Sequence, residues 1–186
     1  TDINDVLGND DVILDVGVTA NRPDCNSVYG IAGEIAAVLK KPLRAPKTDI
    51  VFDGAKKIED IVGVEVRDPD LCPRYMAAAV TDIKVAPSPE YIRRRLKAVG
   101  LRPINNMVDI TNYVLMEVGQ PMHAFDDRDI VGGKIVARRA ENGEKIVTLD
   151  GKEYELNDSM LVIADTEKAN AVAGIMGGMN SGVRED

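Results

Sequence analysis

Apolar positions recur along this chain with two different periods, and the switches between them mark out its elements. From Asp11 to Val18, DVILDVGV, apolar residues alternate with others as in a half-buried strand, and TANRPDCNS follows as a turn-rich connection. Ser27 then caps a helix whose apolar stripe is Val28, Ile31, Ala32, Ile35, Val38 and Leu39. Lys40 and Lys41 suit its C-terminal dipole, and Pro42 stops it. Ala45 to Asp60, with Pro46, Gly54 and several charges, reads as a linker. Val62 to Arg67 alternates as a strand, Asp68-Pro69-Asp70 turns, and Arg74 to Val80 is a second strand candidate. Ser88-Pro89-Glu90 opens a helix in the order cap, N1 proline and early acid, with Ile92, Leu96 and Val99 inward and Gly100 at its end.

The pattern is densest from Leu101 to Asp126, LRPINNMVDITNYVLMEVGQPMHAFD. With Asn106 as cap, a helix from about Met107 to Val118 is clothed in Met107, Val108, Ile110, Val114, Leu115 and Val118, as a buried helix is. A polar line interrupts that surface: Asn105, Asp109 and Asn112 fall on one side, with Thr111 beside them. Gly119 ends the helix, and Gln120-Pro121-Met122-His123 leads away as an extended segment. Amides, a hydroxyl and an imidazole are thus expected to converge at a helix end, where a small polar ligand can be gripped. The competing reading is that such groups on a buried helix are satisfied internally by neighbouring backbone, and that a lone histidine is structural.

Beyond Asp126 the pattern turns to sheet. Lys134 to Arg139 and Lys145 to Leu149 alternate, Asp150-Gly151 is a two-residue hairpin signal, and Lys152 to Leu156 returns. Met160 to Ala164 and Ala171 to Met176 are short apolar runs of the buried-strand kind. The order of elements predicts an α+β fold, a mixed or antiparallel sheet packed with short helices around an aliphatic core. Gly174-Ile175-Met176-Gly177-Gly178 would let backbone approach a ligand closely, although Gly-Gly is also an ordinary turn signal and no P-loop continuation follows.

Composition narrows the function classes. The 186 residues carry no tryptophan and only two phenylalanines, so platforms for stacking bases are scarce. A net charge of -8 makes the chain as a whole a poor surface for a phosphate backbone, DNA included. One local exception is Arg93-Arg94-Arg95 with Lys97, and Arg102 just beyond; such a run is a soluble face unless something organises it. Cys25 and Cys72 lack metal-ligand spacing, and one histidine does not complete a structural zinc site, so no metal is expected. Reduced thiols, the absence of a basic and apolar leader pattern, and the absence of any apolar run near the roughly 18 residues that span a bilayer point to a cytoplasmic protein without a membrane partner. Asn21, Arg22 and Asp24 form another polar cluster, for which a turn-tying and helix-capping role is favoured over catalysis.

RPINNMVDITNYVLMEVGQPMHAFD resembles the signature of the editing (B3/B4) module in the β subunit of bacterial phenylalanyl-tRNA synthetase. VGVTANRPDCNSVYGIAGEIAA and VAGIMGGMNSGV resemble two further stretches of that subunit, in the same order. The resemblance implies the strand-turn-helix end of a preceding small domain at 1–46, a linker at 47–61, and an editing domain at 62–186 cut short at its C-terminus. It implies deacylation of tRNA(Phe) mischarged with tyrosine, in an assembly with a synthetase α subunit and with the 3′ end of tRNA(Phe) as partner. No cofactor is expected for editing, and ATP and Mg only for the whole synthetase. Carried over by the resemblance, Thr111, Asn112 and His123 are the catalytic candidates, and Arg102, Pro121 and Gly177 the substrate-binding ones. His123 and Asn112 are expected to orient the α-amino group, the ester or a water, since no Ser-His-Asp or Cys-His arrangement can be argued. One departure stands out: in the family a glutamate that contacts the tyrosyl hydroxyl lies several residues after the GIMGG-like motif, and Glu185 comes too early to replace it. A non-catalytic tRNA-end binding or scaffold module is the alternative, separable by saturable binding without deacylation. A metal-dependent hydrolase is the third reading, which chelator-insensitive activity excludes.

Overall fold

The computed structural model describes residues 12–51 and 56–184. Asp11 of the expected first strand, Gly54 of the expected linker, and Glu185 lie outside the described residues. The chain is α+β and divides into two compact units. The first holds the described residues up to Pro46 together with Pro87–Met122; the second holds Lys47–Ala86 and the described residues from His123 onward.

Among the described residues the first unit contributes three helices, α1 (Val28–Leu39), α2 (Glu90–Ala98) and α3 (Asn106–Val118). Ser27 caps α1 as expected, its hydroxyl accepting from the Gly30 amide at 3.0 Å. Ahead of the cap, Arg22 ties the short 3-10 turn Pro23–Cys25 to the helix, with bonds of 3.0 and 2.7 Å to Asp24 and 2.6 Å to Glu34. The apolar stripe of α1 is not a core face among the described residues: Val38 is 79% exposed, and Val28, Ile35 and Leu39 are exposed as well. Residues 12–18 likewise form no strand. The alternating pattern is not met by a core here, and Val12, Ile13, Leu14 and Val16 stand exposed.

The two other helices of this unit meet through a buried carboxylate. Ser88 was expected to cap α2, but its hydroxyl instead donates to Asp109 Oδ2 at 2.6 Å, while the Ile104 amide donates to Oδ1 at 2.8 Å. A buried carboxylate has a stronger claim on a neutral donor than a helix end that water can reach. Asp109 has no exposed surface at all, so the most buried residue of α3 is its acid and not one of its apolar residues. Ile110 and Val118 are exposed and the other apolar positions only half-buried. The cap of α3 is Asn105, one residue earlier than expected, accepting from the amides of Met107 and Val108. On α2, Ile92 and Leu96 are buried as the pattern requires, while Val99 is 44% exposed just past the last turn.

The second unit is built on a five-stranded mixed sheet in the order β1-β2-β5-β6-β7: β1 (Gly63–Val66), β2 (Lys134–Arg139), β5 (Leu161–Ala164), β6 (Ala169–Val172) and β7 (Met176–Gly177). Among the described strands only β1 and β2 run parallel, and the intervening chain supplies the long connection that parallel pairing demands. β3 (Lys145–Val147) and β4 (Glu153–Glu155) form the expected hairpin, with Gly151 at φ 77° in its turn. Alternation along β5 sends Val162 and Ala164 into a cluster with Ala140, Ile146, Leu156 and Ala169, and Ile163 into one with Ile130, Ile135, Ala137 and Ala171. The core is aliphatic, as composition implied. Arg74 to Val80 is not a strand; Tyr75 and Ala77 instead lean on the second cluster as irregular chain. The run Ala171 to Met176 is broken by a turn at Gly174, φ 69°, which reverses the chain from β6 into β7.

A second buried acid organises the turn before β6. Asp165 accepts from the amides of Glu167 and Lys168 at 2.8 and 2.9 Å and from Asn170 Nδ2 at 2.9 Å, and pairs with Lys168 Nζ at 3.2 Å. Burial alone would raise its pKa, but these donors overcome it and hold the carboxyl at about 2. Because the folded value lies below the ordinary 3.8, the carboxyl contributes stability above that pH, and the contribution is lost as pH falls towards 2. Asp165→Asn is therefore expected to lower stability at neutral pH by on the order of 2 kcal/mol and to flatten the loss between about pH 4 and pH 2, both read from urea unfolding at a series of pH values. An unchanged acid slope would show that this carboxyl is not held low.

Candidate functional site

The sole histidine of the chain follows directly on the segment that leaves α3. Two residues later Phe125 packs on the second apolar cluster, and this anchored ring fixes the imidazole. The His123 and Phe125 rings meet edge to face, with centroids 4.5 Å apart and planes at 60°. The opposite contact is Gly177 in β7. A Cβ built there would lie 2.4 Å from His123 Cε1, 3.1 Å from Nε2 and 3.2 Å from Nδ1, so no side chain fits while the ring keeps its place.

Gly178 is restricted for a different reason. Its amide donates to the carbonyl of Asn170 at 2.7 Å, and a Cβ would sit 2.7 Å from that same oxygen. Neither glycine has a positive φ, so both are required by close approach and not by backbone conformation. The edge they form is pinned from three sides. The Gly177 carbonyl accepts from the Leu149 amide at 3.0 Å, the buried Ser181 hydroxyl donates to the Asn170 carbonyl at 3.2 Å, and the Ser181 carbonyl accepts from the Asp126 amide at 3.4 Å. That last bond returns to the segment bearing His123.

The residue His123 is exposed by surface area, yet its ring is flanked by Phe125 and the glycine edge, and this partial burial lowers its pKa below the ordinary 6.5. The neutral imidazole is thus the dominant form at neutral pH. Among the described residues neither ring nitrogen is engaged in a hydrogen bond, so a lone pair is open to a water or a ligand. Among the described residues no carboxylate backs the ring, and the arrangement they form is not a nucleophile-base-acid relay.

Arg102, Thr111, Asn112 and Pro121 belong to the first unit, His123 and Gly177 to the second. Within the second unit the structure brings His123 and Gly177 together. Within the first, the polar line of α3 separates by role. Asn105 is the cap, Asp109 is consumed by Ser88 and Ile104, and Thr111 turns its hydroxyl back to the Val108 carbonyl at 2.8 Å. Asn112 is the half-buried amide left with no side-chain hydrogen bond among the described residues. Arg102 is exposed and lines a cleft with Asp109, and Pro121 is exposed, its carbonyl accepting from Gln120 Nε2 at 3.1 Å. Sequence reasoning passed over Phe125, Asn170 and Ser181. A polar residue inside the apolar run Ala169-Asn170-Ala171-Val172 was the visible signal for Asn170; nothing local marks Phe125. The one cluster of donors close enough to hold a metal ion among the described residues, Asp24, Cys25 and Glu34, has both carboxylates engaged by Arg22 and reads as a charge clasp. No described helix is long and apolar enough to cross a membrane.

Comparison with known proteins adds what geometry alone does not. Residues 71–186 match the B3/4 domain family. The chain is 50% identical over 185 residues to a phenylalanine-tRNA ligase beta subunit from Syntrophus aciditrophicus, covering 100% of this chain and 23% of that protein. It is 51% identical over 182 residues to the corresponding beta subunit of Geobacter metallireducens, covering 98% of this chain and 23% of the relative. A Clostridium tetani beta subunit is 49% identical over 185 residues, again with 23% of its length covered. The chain therefore spans about a quarter of the curated relatives it matches.

Ordinary contact begins near 3.4 Å, so the Cβ of Gly177→Ala would drive the imidazole aside by about 1 Å. The pKa of the single histidine is expected to sit below 6.5 in the parent and to rise towards it in Gly177→Ala as the ring moves into water, followed by NMR titration of its one Cε1 proton. Identical titration curves would dissociate the glycine from the imidazole.

Proposed function

The chain belongs to the B3/4 domain family, and from that membership we propose that it is the editing module of a phenylalanyl-tRNA synthetase β subunit, hydrolysing tyrosine from mischarged tRNA(Phe). The observation that carries the reading is the neutral, unpartnered imidazole of His123 held between Phe125 and a glycine edge that admits no side chain. Such a group suits an uncharged ester. It can orient the attacking water through a ring nitrogen while staying neutral, or accept a proton from that water as a weak base, forming an imidazolium that its surroundings disfavour.

Phenylalanine and tyrosine differ by one hydroxyl, and an apolar pocket rejects an added hydroxyl poorly. A second, hydrolytic site supplies the missing discrimination by hydrogen-bonding the tyrosyl hydroxyl that the correct product lacks. In this proposal His123 positions the attacking water or the ester, and Gly177 leaves room beside it. Asn112, the free amide of α3, contacts the α-amino group or the terminal ribose, with Thr111, Arg102 and Pro121 as further substrate contacts carried over from the resemblance. The partners are a synthetase α subunit and the 3′ end of tRNA(Phe), in the cytoplasm, with ATP and Mg needed by the whole synthetase and not by this hydrolysis. The chain's division into 1–46, a linker and an editing domain from 62 is proposed with it.

A non-catalytic tRNA-end binding module is the second reading. It draws support from the Thr111 hydroxyl being spent on its own helix.

The test is hydrolysis of Tyr-tRNA(Phe) and Phe-tRNA(Phe) by the full-length subunit assembled with its α partner. The tyrosyl ester is expected to be cleared at least about a hundredfold faster. His123→Ala is expected to lower the rate by roughly 10²-fold if the imidazole handles the proton. Because its pKa is depressed, the parent rate should hold flat above pH 6.5 and fall only below it. Full hydrolysis by His123→Ala removes the histidine from the chemistry, and saturable binding of the ester without cleavage by the parent selects the binding module.

A further inference from the structure

The charge run on α2 does not behave as a uniform solvated face. Arg95 turns away to sit 6.0 Å from the Tyr91 ring centre and 5.9 Å from that of Tyr113, and donates to the Tyr113 hydroxyl. Arg94 points to solvent. Arg93 and Lys97, four residues apart and so on one side of the helix, line a cleft of about 400 Å³ in the first unit. Arg102 enters the same cleft from the segment before α3, so its cations come from two elements.

Three cations around one cleft are unexpected in a chain with 31 acidic and 23 basic residues. The only acid in the lining is Asp109, and both of its oxygens are already taken, by the Ser88 hydroxyl and the Ile104 amide. Arg93 has one exposed ion pair, with Glu90 at 2.9 Å, which is worth little in water and exchanges readily. Among the described residues Lys97 and Arg102 have no ion pair. Like charges gathered without counter-charges repel one another, and the arrangement becomes favourable when an anion fills it. The rest of the wall is Ser88, whose hydroxyl is committed to Asp109, and the apolar Pro87, Pro103 and Ile104, which suit the carbon face of a sugar and not a second charge.

We propose that this cleft grips a backbone phosphodiester of the RNA that carries the ester. The inference rests on the editing reading for the identity of the RNA. It assigns Arg93 and Lys97, which that reading leaves unused, a phosphate-binding role beside Arg102. It also answers how an acidic chain holds a polyanion: by one organised cleft and not by its general surface.

The experiment measures the affinity of the full-length subunit, assembled with its α partner, for deacylated tRNA(Phe) across a salt series, next to hydrolysis of the tyrosyl ester. Arg93→Gln with Lys97→Gln is expected to weaken binding about tenfold at 0.1 M salt and to reduce the slope of log Kd against log salt by roughly 1. Arg94→Gln, outside the cleft, should keep the parent slope. An unchanged slope in the double variant overturns the cleft, while intact tyrosyl-ester hydrolysis in the same parent leaves the editing reading standing. A slope lost as expected in a parent that hydrolyses nothing supports the cleft and overturns the editing reading. Inorganic phosphate is the control for a free anion: submillimolar phosphate binding that the double variant abolishes, with RNA affinity untouched, overturns the proposal.

Discussion

The close approach of backbone at Gly177 and Gly178 is the constraint on which the candidate chemistry depends. One glycine faces an imidazole and the other a carbonyl oxygen, each at a distance where a methyl group cannot stand. What holds that edge in place is the carbonyl of Asn170, which accepts from both Gly178 and Ser181. Asn170 is in turn fixed through its side chain by Asp165. A buried acid, a buried amide and two glycines thus form a sequence of contacts ending at His123, every step of it within one unit. Its strength lies in charge-assisted hydrogen bonds that burial protects from water, which is why a group as expensive to bury as a carboxylate is tolerated there. One member of the sequence is incompletely satisfied, since among the described residues Asn170 Oδ1 is buried without a partner. That deficit is the cost of directing the amide's NH2 at Asp165.

The first unit uses the same device for a different purpose. Asp109 has no exposed surface and joins the approach to α2, through Ser88, with the approach to α3, through Ile104. Its position on α3 explains why a polar line on an apolar helix was only partly a functional signal. An acid that must be buried needs donors, and the donors available were the hydroxyl and amide just ahead of the two helices. Once these are spent, Asn112 remains on that side without a side-chain hydrogen bond among the described residues.

Most elements were legible because they rest on local chemistry. Ser27 ahead of an apolar stripe, Asp150-Gly151 between alternating runs, and Gly119 after Val118 each describe an end that the chain enforces by itself. The failures share a cause, which is that periodicity reports what a segment can bury and not whether a partner is present. Val12 to Val16 and the stripe of α1 have a buried pattern and lie exposed, and Arg74 to Val80 alternates without a strand to pair with. Ser88 failed as a cap for a related reason: its alternative partner is Asp109, a residue 21 positions away. At the candidate site, His123 and the glycines were visible as residue types, and the family resemblance gave them a role. The space between them was not visible, because it depends on β7 pairing with β6 in a register that brings Gly177 opposite Ala171.

The form in which His123 is held bears on the kind of catalysis available to it. A histidine that relays a proton for a side-chain nucleophile needs an acceptor behind it, so that the imidazolium is stabilised as it forms. Here the ring is backed by Phe125 and a glycine edge, both of which favour the neutral state. An imidazole in such a place is a weak base with a fixed direction, better fitted to orienting a water than to storing a proton. In the proposed editing reaction the substrate lessens the difficulty, because an aminoacyl ester is already activated and its leaving group is a ribose oxygen flanked by a second hydroxyl. On that proposal modest proton handling suffices, and placement is the part of catalysis the residues around His123 are built to supply. In that proposal the packing of Phe125 on the apolar cluster and the crowding at Gly177 serve the placement of the ring.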